Sequence, residues 1–74
     1  MSAKPARDVE AGTTNAAFVA KLRRLADAIE AGEAFPIQVA GERLRIPASA
    51  RFTIEHERDG NVDEVEFQLR WERE

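Results

Sequence analysis

Phe35-Pro36-Ile37-Gln38-Val39-Ala40-Gly41-Glu42-Arg43-Leu44-Arg45-Ile46 is the stretch on which the fold turns. Phe35, Ile37 and Val39 alternate with Pro36, Gln38 and Ala40, and Leu44 and Ile46 flank Arg45, so each half is apolar on one face only. A period of two marks half-buried strands. Glycine between two such runs predicts a tight hairpin, because it takes a positive φ at little steric cost. With Gly41-Glu42 as a two-residue type II′ loop, Val39 is expected opposite Leu44 and Ile37 opposite Ile46.

Upstream the period becomes helical. Phe18, Leu22, Leu25 and Ile29 recur at steps of four, three and four, and Val19 and Ala26 widen that stripe. This spacing predicts an amphipathic helix with a core-facing side. Thr13-Thr14-Asn15 supplies capping side chains and Gly32 a left-handed stop, which bound the helix at about Asn15–Ala31. Residues 1–12 mix Lys, Pro, Ala, Asp, Glu and Gly without a period and are expected to be a disordered leader, leaving one domain over 13–74.

Downstream, Pro47-Ala48-Ser49-Ala50 interrupts the ladder, since proline has no N–H to offer it. Phe52, Ile54 and His56 then share one parity, as do Val65, Phe67, Leu69 and Trp71 after the Asp59-Gly60 turn signal. An Asp59-Gly60 loop places Ile54 opposite Val65, Phe52 opposite Phe67, and His56 opposite Asp63. The predicted fold is α+β: one N-terminal helix packed on one face of a four-stranded antiparallel meander (α-β-β-β-β), with modest net stability and two open sheet edges.

The runs Phe35–Gly41, Leu44–Pro47, Phe52–Glu55 and Val65–Trp71, with the helix before them, resemble the amphi-Trp domain family of small prokaryotic domains. The resemblance spans about Ala17 to Trp71. It implies the same helix-then-strands architecture and carries no established activity, catalytic residue or ligand.

The chain has 74 residues, 14 acidic and 11 basic, a net charge of −3, and no cysteine. The acidity argues against a general phosphate-backbone binder, so nucleic acid is not the expected partner. Without cysteine there is neither a disulfide nor a thiolate metal site. No run is long enough to cross a bilayer and no apolar segment follows the N-terminus, which leads to the expectation of a cytoplasmic, membrane-free protein.

No catalytic, cofactor-binding or metal-ligating constellation emerges. His56 is the sole histidine, and with Asp63 it reads as a rim residue rather than a proton-transfer pair, because no nucleophile accompanies it. Glu55, Glu57, Glu64 and Glu66 read as a solvated strand face, since a flat surface lacks the desolvated setting that cation or acid–base work needs. Arg43, Arg45 and Arg51 share that outward parity and are expected to pair with those acids. Trp71 has inward parity and reads as a lid on the core, with partner anchoring as its alternative.

The expected function is a non-enzymatic interaction or assembly module, acting through a sheet edge or the charged outer face, with an unknown protein partner or as a weak homo-oligomer. The candidate interaction residues are Arg43, Arg45, Arg51 and Trp71. The alternative is anion or nucleic-acid binding through an arginine patch that also draws on Lys21, Arg23 and Arg24.

Overall fold

The computed structural model describes residues 4–73; the first three residues of the expected leader lie outside them. The elements are α1 (Asn15–Ala31), β1 (Phe35–Val39), β2 (Glu42–Ile46), β3 (Arg51–Asp59) and β4 (Val62–Arg70). Both helix ends are satisfied as the sequence predicts. Thr14 accepts from the Ala17 N–H through its side chain at 3.2 Å. Gly32, at φ 68°, closes the other end as Glu33 N–H donates to the Ala28 carbonyl and Gly32 N–H to that of Ile29. Those two bonds form a Schellman motif.

The α+β class and the element order stand, but the single four-stranded meander is corrected to two separate hairpins, β1–β2 and β3–β4. The break falls where Pro47 opens the connecting turn, and Ala50 N–H donates back to the Pro47 carbonyl at 3.1 Å. The last strand stops at Arg70, one residue before Trp71.

Both hairpin registers differ from expectation by two residues, which keeps every side chain on its predicted face. In the first, Phe35 pairs with Ile46, Ile37 with Leu44, and Val39 with Glu42. The loop is therefore Ala40-Gly41, and both residues have positive φ, 47° and 86°. That is the φ signature of a type I′ turn, whose twist matches the strands. The register sets Phe35 against Ile46, the two large side chains the fold buries, each 7 % exposed. In the second hairpin the loop is Gly60-Asn61, and Phe52 pairs with Leu69, Ile54 with Phe67, and His56 with Val65. Here glycine stands first, at φ 62°.

Ala40 bears the cost of the first turn, because a Cβ is disfavoured in the left-handed region by about 1–2 kcal/mol. Asparagine tolerates that conformation and leads the favoured Asn-Gly pair. Ala40→Asn is thus expected to stabilise the domain by about 1 kcal/mol, read as a higher urea midpoint with an unchanged slope.

The core is small. Phe35, Ile46 and Ala50 are buried, with Leu25, Ala28, Ile37, Leu69 and Trp71 packed partly around them. The helix lies against β1 through Leu25 and Ala28, with Lys21 one turn earlier also half-buried. This corrects the expected packing: Phe18, Val19, Leu22 and Ile29 are all more than two-fifths exposed, so most of the apolar stripe has nothing over it. The radius of gyration is 14.0 Å, against about 11 Å for a compact chain of this length.

Candidate interaction surface

Hairpin β3–β4 meets the rest of the molecule only at its base. Phe52 borders Leu25, Ile29, Ile46 and Pro47 there, while Leu69 and Trp71 touch the core. Beyond the base the inward-parity side chains are open to solvent: Ile54 is 71 % exposed, Phe67 68 % and Val65 62 %. The expected helix cover is absent because α1 is docked on β1 instead. Between Leu25 and Ile29 on one side and Phe52, Ile54, Phe67 and Leu69 on the other runs an open groove of about 300 Å³. Its walls are almost wholly apolar, and such patches mark interaction sites.

The opposite face of the same hairpin is polar and tied together. Gln68, half-buried, donates from Nε2 to Glu55 at 2.8 Å and Glu66 at 3.0 Å, while Thr53 Oγ1 donates to its Oε1 at 2.9 Å. Toward the tip, Glu57, Glu64 and Glu66 place carboxylate oxygens within 4.8 Å of one another. Hydrogen bonding to Glu57 and the nearby charge of Glu66 raise the Glu64 pKa above its ordinary 4.5. A carboxyl raised in the folded state binds more protons than in the unfolded chain, so stability falls as pH climbs through that window. Glu64→Gln should therefore stabilise the domain at pH 7. Melting curves should show the advantage shrinking to nothing once the pH drops below 4.5.

His56 does not face Asp63 directly, since the register sets it opposite Val65. The two nevertheless meet on the diagonal, Nε2 to Oδ1 at 2.8 Å, and Arg58 Nε donates to the same oxygen at 2.8 Å. Those bonds, His56 first, hold the Asp63 carboxyl below its ordinary value. Both side chains are about half exposed, and the arrangement is an open surface cluster.

The arginines fall into two places. Arg51 lies on the polar hairpin face beside Thr53, Glu55, Gln68 and Arg70. Arg43 and Arg45 instead border a shallow depression of about 380 Å³ with Arg70, Arg73, Lys4 and Trp71. The expected pairing of Arg43, Arg45 and Arg51 with strand glutamates is not formed among the described residues, where the ion pairs are those of Glu42 and Asp63. Glu42 is taken by Lys4 at 3.3 Å and Arg7 at 2.8 Å, and the Lys4 hydrogen bond leads in lowering its pKa. Arg7 also donates to the Val39 carbonyl at 3.0 Å, which ties the segment before the helix to the first hairpin turn. Trp71 keeps its predicted contact with the core and also stands at the edge of this basic depression. That neighbourhood joins β2 to the chain after β4, so no sequence spacing announces it.

A helix followed by two antiparallel hairpins, closed by a tryptophan on the core, defines a small α+β domain with an incompletely covered apolar side. The chain belongs to the Amphi-Trp domain family, which it matches over residues 1–74. No curated protein and no solved structure matches it. No helix among the described residues is long and apolar enough to cross a membrane.

Proposed function

We propose that this domain is a non-enzymatic protein-interaction module whose docking surface is the apolar groove between α1 and β3–β4. The observation that carries the reading is the exposure of Ile54 and Phe67 on a projecting hairpin whose other face is polar and hydrogen-bonded. Water is a poor neighbour for such a face, and burying it against a partner supplies the driving force for association. The charged outer face is the weaker choice, because its polar groups already bind one another.

Ile54→Ser and Phe67→Ser test this in dilute solution. In an isolated chain these side chains are exposed, so each change should shift stability by no more than about 0.5 kcal/mol. Binding of a fluorescent apolar dye should fall in both. A loss of about 2–5 kcal/mol in dilute monomer would instead mean that the chain's own helix covers them, and the reading would fail.

A second reading rests on the depression at Trp71, where Arg43, Arg45, Arg70 and Arg73 gather around one aromatic side chain. Arginine with a stacking surface suits single-stranded nucleic acid or another polyanion. Mobility shift of a short oligonucleotide at low salt, lost in Arg43→Ala and Arg70→Ala, would support it. Equal binding by these variants would remove it.

A further inference from the structure

Resting on the interaction reading above, we infer that the occupant of the apolar surface is a second copy of this chain, in a two-fold dimer. In it the β3–β4 hairpin of each copy lies across the N-terminal half of the other's helix. Three observations lead there.

The first is that the chain's own core is small. Among the described residues no helix residue is buried, and the buried hydrophobics are Phe35, Ile46 and Ala50 alone. A cover that completes a core has to be present whenever the chain is, and another copy meets that condition without a separate gene product. Assembly then adds to the stability that each chain has alone.

The second is area. The exposed parts of Phe52, Ile54, Val65 and Phe67, with those of the helix stripe, come to on the order of 800 Å² if each side chain presents its usual surface. That is the half-interface of a standard stable complex.

The third is that the two apolar patches differ in the charge around them. Residues 55–66 carry six acidic side chains and one arginine, a net of −5 without His56. The rest of the chain holds the other eight acids and ten bases, a net of +2. On the helix, Lys21, Arg23 and Arg24 adjoin the exposed Phe18, Val19 and Leu22. Glu55, Glu57, Glu64 and Glu66 stand on the hairpin's polar face, and Asp63 is paired with His56 and Arg58 on the apolar one. The contact itself is therefore apolar, and the opposite net charges act across the thickness of the hairpin, steering it toward the partner's basic helix. Two hairpins, each of net −5, would instead repel as they approach. In a two-fold arrangement the hairpin-on-helix contact occurs twice, once in each direction.

The experiment is sedimentation equilibrium of the full chain, its 8.3 kDa mass expected to double to the dimer's as concentration rises. The melting midpoint should climb over the same range. Phe18→Glu and Phe67→Glu each strike both copies of the contact and should each give monomer. Mixing the two variants leaves one contact intact, that of the unaltered helix of one chain with the unaltered hairpin of the other. Dimer should then reappear in the mixture alone. Full dimerisation of Phe18→Glu, or failure of the mixture to recover dimer while the wild type dimerises, overturns the reciprocal arrangement. Should the wild type stay monomeric to about 1 mM while still binding apolar dye, the second copy is overturned and the interaction surface stands. If the dilute serine variants show the chain's own helix covering Ile54 and Phe67, both fall together.

Discussion

Phe35→Ala is expected to remove about a third or more of the domain's stability and to lower its melting midpoint more than any other single truncation. Phe35 is 7 % exposed and is the largest side chain in the buried cluster, where it touches Ile46 across the β1–β2 ladder. Truncating a buried phenylalanine costs about 3–5 kcal/mol through lost burial and the cavity left behind. A domain of this length holds only about 4–11 kcal/mol in total. Few other side chains surround the cavity, so little can relax into it. Helical circular dichroism should be lost at a much lower temperature or urea concentration than in the parent, because α1 is docked on β1 and a lone helix of 17 residues is marginal in water. A variant that melts within a few degrees of the parent would show that the core lies elsewhere.

Gly41→Val should cost about 2 kcal/mol or more. Gly41 sits at φ 86° as the second central residue of the first hairpin, a conformation that a β-branched residue resists. Ala40 already holds the other central position at positive φ, so the turn has no unstrained residue to shift onto. A Cβ at Gly41 would meet no atom within 4 Å, which makes the penalty one of backbone conformation rather than collision. Gly41→Ala in the same urea series should therefore lose a large part of the same stability. An alanine variant equal to the parent would mean the loop has moved.

The helix and its caps were legible because their signals are local. Thr14 and Gly32 act within one turn of themselves, and the helix runs over Asn15–Ala31 as read from them. Strand parity was legible too, since alternation at period two survives any even shift in register. The register itself was not. A glycine announces a positive φ without saying whether it stands first or second in the loop, and this chain uses Gly41 second and Gly60 first. What covers the apolar stripe was also beyond the sequence. Phe18, Leu22 and Ile29 repeat at core spacing, yet periodicity records only that a surface is apolar, not which chain buries it. At the candidate sites, the His56–Asp63 contact was anticipated and survived its changed register as a diagonal pair. The gathering of Arg43, Arg45 and Arg70 at Trp71 was missed, because it depends on how two hairpins pack rather than on any run of residues.

Trp71 rests against the small core while the outer part of β3–β4 stands clear of it. The chain has one tryptophan and no tyrosine, so its intrinsic fluorescence at 295 nm excitation or below arises almost entirely from that indole. Emission will track the packing of α1, β1 and β2 and stay nearly silent while the distal hairpin frays. Amide circular dichroism sums over both parts. Denaturation curves from the two signals should separate wherever the hairpin loosens first, and a single-probe melt would assign the stability of one half of the molecule to the whole.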